Sequence, residues 1–342
     1  MSPHTEPAEL RAGPGRPTGQ PTDTHRPPSW RNAITMIVAV PLVVTAIAAM
    51  FVSLAVDPQP HAVPLGLVAP PTAAQDVESA LAERAGDDAF DIRTQPDAAA
   101  ARSAIEQREV LGALEIGPAG VRVLTAEAGS PALAQVIAAI GDGIGTAQNV
   151  PVTTESVVVP PSTDARGTGF AAGLLPLLIA GMALGAAAAL SLAGRIGMQA
   201  AVVLLGPIVA GLGFAWVWSG LGVIDGRVVP VALALSLMIG AIAWFVAGAG
   251  ALLGAQGVGL GAIIMVLVSN PLSGLASSPY LLPPPWGAIG QWLPPGAGGT
   301  LTRTVAFFPE ASIAGPVWIL LAWVALGATM LGLAGLRQRR TA

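Results

Sequence analysis

Cysteine and lysine are both missing from this 342-residue chain. Without cysteine there are no disulfides, no thiolate nucleophile and no Cys-based metal site. Without lysine, a phosphate-binding GxxxxGK[ST] loop cannot be built, nor a Schiff base. All sixteen basic residues are therefore arginine. Histidine is scarce too: His4, His25 and His61, none in an apolar run. Charged residues make up only 11% of the chain, against about a quarter in a soluble domain. Little is left from which to build an active site. No HExxH or GxSxG stands out, and Asp87-Asp88 reads as a loop pair, so an enzyme is the weakest reading and neither a cofactor nor a metal site is expected. Nothing points to a nucleic-acid partner.

What is present is apolar surface: 53% of residues are hydrophobic, with 42 glycines and 31 prolines. The fold class expected is a polytopic α-helical membrane protein with six transmembrane helices and a small extracytoplasmic α/β domain between the first and second. Residues 1–31, rich in Pro, Gly and Thr, read as a disordered cytoplasmic tail. The first span, 32–56, is uncharged beyond the roughly 20 residues a crossing helix needs. Ser53-Leu54-Ala55 resembles a signal-peptidase site, but the apolar run is long and a long tail precedes it, which favours an uncleaved anchor.

Composition changes across 57–166. Fifteen of the 20 acidic residues lie between Asp57 and Asp164, with only five arginines: Arg84, Arg93, Arg102, Arg108 and Arg122. Short apolar runs at 63–69, 110–116, 121–126 and 156–160 predict strands. Helical spacing at 73–86, 97–109 and 131–144 predicts helices between them. Alternating elements of this kind predict a compact α/β domain of about 100 residues, long enough for its own core.

The region 167–336 reads as a bundle of five further spans, at about 169–193, 199–222, 229–253, 256–276 and 313–336, and 337–342 is a basic cytoplasmic tail. Small-xxx-small pairs at Gly169/Gly173, Gly181/Gly185, Gly250/Gly254 and Gly257/Gly261 favour close helix packing. Arginines flank both ends: Arg11, Arg16, Arg26 and Arg31, then Arg337, Arg339 and Arg340. They predict cytoplasmic termini in a cell membrane, with Arg195 inside and the acidic domain outside. Arg166, Arg227 and Arg303 fall on the outer side against the rule.

Between the last two spans, at about 277–311, a Pro-, Gly- and Trp-rich stretch predicts an outer re-entrant or interfacial hairpin; an ordinary Pro-rich loop is the alternative. Asn270-Pro271 should break or kink the preceding helix. Residues 279–286 read as polyproline-like, and Trp286 and Trp292 suit the head-group level. The run 294-PPGAGGTLTR-303, with Gly298 and Gly299, reads as a glycine turn. Such backbone at membrane depth needs protein or a water-filled cavity over it, which makes this stretch a candidate lining of a translocation path. Arg303 is either a snorkelling arginine at a helix end or a contact for an anionic lipid head group or substrate.

The stretch 270-NPLSGLASSPYLLPPPWGAIGQWLPPGAGGTLTRTVAFF-308, and less specifically 122-RVLTAEAGSPALAQVI-137, resembles actinobacterial members of the phage infection protein family and its type-2 ABC exporter permease relatives. The resemblance implies a permease subunit that pairs with a second copy or a related permease, contacts membrane lipids, and exports a lipid-like or amphipathic substrate using a separate nucleotide-binding ATPase. The inner loops here are short. Docking of an ATPase would fall to the segment before Trp30, with Arg31, or to the turn around Arg195. The alternative is a cell-surface receptor or assembly scaffold that works through its extracytoplasmic domain. Proton-driven transport is disfavoured because the later spans hold no Asp, Glu, His or Lys in their interiors; backbone carbonyls leave sodium coupling open.

Overall fold

The computed structural model describes residues 30–53, 58–117, 119–275 and 277–341. Most of the expected tail, residues 54–57 at the end of the first expected span, and Ala342 lie outside them. The helix α1 (Trp30–Ser53) contains Pro41 and belongs largely to a separate unit that ends at Ala48. It covers most of the first expected span.

The second unit begins with the sheet domain. β1 (Val63–Val68), α2 (Pro71–Ala85), β2 (Phe90–Thr94), α3 (Ala98–Glu106), β3 (Gly112–Gly117), β4 (Gly120–Thr125), α4 (Pro131–Gln148) and β5 (Val152–Ser156) follow in that order. The sheet runs β2-β1-β3-β4-β5. All neighbours are parallel except β3 and β4, a tight antiparallel pair that sets Gly112 opposite Thr125 and Gly117 opposite Gly120. Period-two alternation sorts the side chains. Val63, Leu65, Leu67, Leu114, Val121 and Val123 face a core closed by Val77 and Leu81 of α2 and by Leu133, Ile137 and Ile144 of α4. Ala113 and Leu124 face the other side, under Ala101, Ala104 and Ile105 of α3.

Two strand expectations need correction. β5 occupies 152–156 rather than 156–160, and β2 was not expected at all. Both are edge strands whose residues are mostly polar and half-buried or exposed, so they carry little apolar signal. The apolar Val157 and Val158 instead follow β5 and pack on the α3 side.

Five helices are long and apolar enough to cross a membrane. α5 (Thr168–Ser191), α6 (Ile196–Gly220) and α7 (Val228–Leu253) come first. α8 (Ala255–Ala262) continues through a π-helical stretch, Ile263–Ser269, into the single turn α9 (Asn270–Leu272). Ala255–Leu272 thus count as one span, and Ala314–Arg340 form the last. These positions agree with the five expected after residue 167. α7 is the axis: 61% of its most apolar window is buried inside the protein, against 22–39% for the others. α5, α6, α8 and the final helix all pack on it. Glycine permits the close approach. Gly181 faces Ile239 and Ile242, and Gly185 faces Ala243 and Val246.

After α9 the chain makes a short helical turn at Pro279–Leu281 and then two helices, α10 (Trp286–Gln291) and α11 (Pro294–Phe307), before the final helix α12 (Ala314–Thr341). The expected glycine turn at 294–303 is therefore helical. Pro294 and Pro295 occupy the first positions of α11, where a missing N–H costs nothing and a fixed φ suits the helix. Gly298 and Gly299 let Met238 and Leu275 press onto the α11 backbone, so packing overrides the low helix propensity of glycine. Twelve residues of α11 are buried. The polyproline expectation gives way to turns, with Trp286 N–H donating to the Pro283 carbonyl.

Candidate functional site at the seam between sheet and bundle

One end of the bundle carries the sheet domain. Thr163, just before α5, donates its hydroxyl to the Gly222 carbonyl after α6. Arg227, at the start of α7, donates from Nε to the Val305 carbonyl at 2.7 Å. Asp164, only 8% exposed, caps α5 by accepting from Gly169 N and Phe170 N, each at 2.9 Å.

The sheet domain is tied to this end at several points. Ser130 accepts from Leu133 N as the cap of α4 and donates to the Ser277 carbonyl at 2.8 Å. His61 N donates to the Tyr280 carbonyl at 2.9 Å. Leu281 and Phe308 fill the two cores of the sheet domain, one on each face. The segment after α9 thus contributes to the sheet domain's core on both faces.

Arg108 lies at this seam. It follows the last turn of α3 with φ +57°, a left-handed conformation that a non-glycine residue adopts at a cost of roughly 1 kcal/mol or more. Its Nη1 donates to Thr304 Oγ1 of α11 at 2.6 Å, and its guanidinium carbon stands 4.9 Å from the centre of the Phe308 ring. Burial pushes its pKa below the ordinary arginine value, with the Tyr280 hydroxyl a lesser opposing influence. Arginine still keeps its charge at neutral pH.

Arg303, one turn earlier on α11 than Phe307, is 9% exposed. Its Nη2 donates to the Leu275 carbonyl at 3.2 Å, and its guanidinium carbon lies 5.1 Å from the Phe170 ring centre. Both arginines border a void of about 30 Å³ that Ser130 and Tyr280 also line. Among the described residues the ion pairs are Arg93–Asp91, Arg102–Glu155 and Arg122–Glu115. Neither seam arginine has a carboxylate partner.

Next to the void opens a cavity of about 560 Å³. Arg108, Gln107, His61, Gln291, Thr300, Thr304 and Ser312 line it with polar groups, and Pro284, Pro285, Ala288 and Pro316 with apolar ones. The size suits a small organic ligand.

The expected site residues divide. Arg303 is at the seam. Gly298 and Gly299 are packing positions within α11. Asn270 and Pro271 lie in helical backbone, and the helix ends directly after them at Leu272. Trp286 and Trp292 are 46% and 69% exposed, and the Trp292 carbonyl accepts from Trp323 Nε1 at 2.9 Å. Arg195 is exposed at the other end of the bundle, in the turn before α6, where Gly194 and Ile196 share a hollow with Arg339 of α12. Arg31 belongs to α1, and its side chain lies outside the described residues. Arg108, Gln107 and Thr304 were not anticipated: nothing in the string distinguishes Arg108 from the other arginines of its domain. Among the described residues no three His, Asp or Glu side chains converge as a metal site would require.

Comparison with protein-family models, curated proteins and solved structures found no match.

Proposed function

We propose that this chain is the permease subunit of an exporter for a lipid-like or amphipathic substrate, powered by a separate ATPase. The seam cavity carries the reading: polar and apolar side chains both line it where the sheet domain meets α10 and α11. That is the mixed lining an amphiphile would need when leaving a bilayer. In this reading α1 is a sixth span, both termini are cytoplasmic in the cell membrane, and the sheet domain stands outside. The arginine distribution supports that orientation, and 24 helical residues extend about 36 Å, enough to cross. The α10–α11 pair is the outer hairpin, and the subunit works as a homodimer or beside a related permease. ATP hydrolysis belongs to another chain, since this one has no lysine for a phosphate loop. The exposed Arg195 turn and the segment around Arg31 are the docking surfaces in this reading.

The test is co-purification in mild detergent, with mass spectrometry and an ATPase assay. A stoichiometric nucleotide-binding partner, with its hydrolysis lost in Arg195→Glu, is the expected result. A homo-oligomer with no ATPase would overturn the exporter reading and leave a surface receptor or scaffold built on the sheet domain.

A further inference from the structure

We infer that the seam cavity binds the acidic, phosphoryl-type head group of an amphiphile on Arg108, with the buried charge of Arg303 behind it across the void, and its apolar part along Pro284, Pro285, Ala288 and Pro316. The inference deepens the permease reading by naming the substrate class, and rests on it only in taking the cavity as the substrate's place.

The argument begins with unmatched charge. Each guanidinium has five N–H donors. Arg108 gives one to Thr304 Oγ1 and Arg303 gives one to the Leu275 carbonyl. Each also rests over a phenylalanine ring, which attracts a cation without consuming its donors. Among the described residues no carboxylate pairs with either. Two like charges that share one small void repel, and a charge taken from water without a counter-ion is costly. A cluster kept this way is complementary to an anion. The planar fork of arginine matches a phosphoryl group with two parallel hydrogen bonds, which also fixes orientation.

The surroundings select an amphiphile over a bare anion. Arg108 borders both the void and the larger cavity, so it can reach a head group in the cavity while Arg303, which lines only the void, adds its charge from behind. Part of the cavity's wall is proline and alanine, without charge, with Gln291 and Ser312 also lining it. That part includes Pro316, at the first turn of a membrane-length helix. A chain leaving along that wall would enter lipid.

The experiment uses the full chain in dodecyl maltoside, titrated with dodecyl phosphate, dodecylphosphocholine and inorganic phosphate, with binding read by thermophoresis. Dodecyl phosphate should saturate and bind at least about tenfold tighter than either of the others, and weaken as salt is raised. Arg108→Gln and Arg303→Gln should each weaken it about tenfold or more, while Arg93→Gln, on the exposed face of the same domain, should not. If the wild-type protein shows no preference for dodecyl phosphate over dodecylphosphocholine, the inference is wrong, whatever the variants do. Inorganic phosphate binding as tightly as dodecyl phosphate would mark a free-anion site and overturn the amphiphile assignment. Unchanged binding in Arg108→Gln would overturn the location, even if Arg303→Gln fails to fold. None of these measurements needs an ATPase, so a missing partner and a missing head-group site are separate results.

Discussion

Adding one methyl group to Gly185 of α5 tests whether the bundle depends on close approach to α7. An alanine Cβ there would stand 2.7 Å from the Ala243 carbonyl oxygen, 2.7 Å from Val246 Cβ and 3.1 Å from Val246 Cγ1. Carbon atoms prefer about 3.5–4.0 Å, so the helices must part by something near 1 Å at this level. A gap of that size forfeits a quarter to a half of each dispersion contact along the seam. Overpacking of this kind costs about 1–3 kcal/mol. The better helix propensity of alanine returns about 0.5–1 kcal/mol, leaving a net loss of up to about 2 kcal/mol, with about 1 kcal/mol the central value. Gly213 of α6 is the control, because a Cβ there meets nothing within 4 Å. Thermal unfolding in detergent, followed by tryptophan fluorescence, should place Gly185→Ala about 2–8 °C below the wild type. Gly213→Ala should melt at or slightly above it. If Gly185→Ala melts as high as Gly213→Ala, small residues are not what sets the α5–α7 distance.

Asp164→Ala removes the acceptor of two backbone N–H groups at the start of α5 and should cost about 1–2 kcal/mol, read as a lower melting point. Ser130→Ala removes both the α4 cap and the tie to Ser277. About 1 kcal/mol should be lost, and limited proteolysis should cut the 277–285 segment faster than in the wild type. The exposed Arg102–Glu155 pair gives a pH signature. The hydrogen bond from Arg102 holds the Glu155 carboxyl below its ordinary value. A carboxylate depressed in the folded state stabilises above its unfolded pKa, and that contribution fades as pH falls through the folded one. The melting difference between wild type and Arg102→Gln should therefore be small, shrink with added salt, and vanish under acid conditions. A difference that grows on acidification would refute the pairing.

The helices after residue 167 were legible because apolar runs of helix length have few other fates, and the close packing expected of the small-residue pairs is met at Gly181 and Gly185, which face α7. In the sheet domain, β1, β3 and β4 and all three helices were legible for the same reason: their apolar residues alternate, or recur every three to four positions, toward a buried side. β2 and β5 were not, since an edge strand with polar residues on its surface leaves no period to read. The helix α11 was hidden differently. Pro-Pro-Gly followed by Gly-Gly signals a turn when only neighbours in sequence are considered. Here Met238 and Leu275, both distant in the chain, close over those glycines and make the helix worth forming.

The site was the least legible part, and the reason is chemical. An ion pair or metal centre announces itself by residue types at a spacing. The seam depends on a counter-charge that is missing, and a missing partner is visible only when every neighbour is known. Arg303 could be marked in sequence as a charge out of place beside a span. Arg108, 195 residues earlier in an acidic domain with ample carboxylates, gave no such sign, because those carboxylates would be expected to pair with it. They do not: Asp91, Glu115 and Glu155 are taken by Arg93, Arg122 and Arg102. The fold turns Arg108 away from them through a left-handed residue, onto Phe308 and Thr304. A domain rich in acid thus delivers a buried arginine to a second arginine. That placement sets positive charge at the end of the bundle beneath an acidic domain, an arrangement that would favour an anion at the seam over one at the surface.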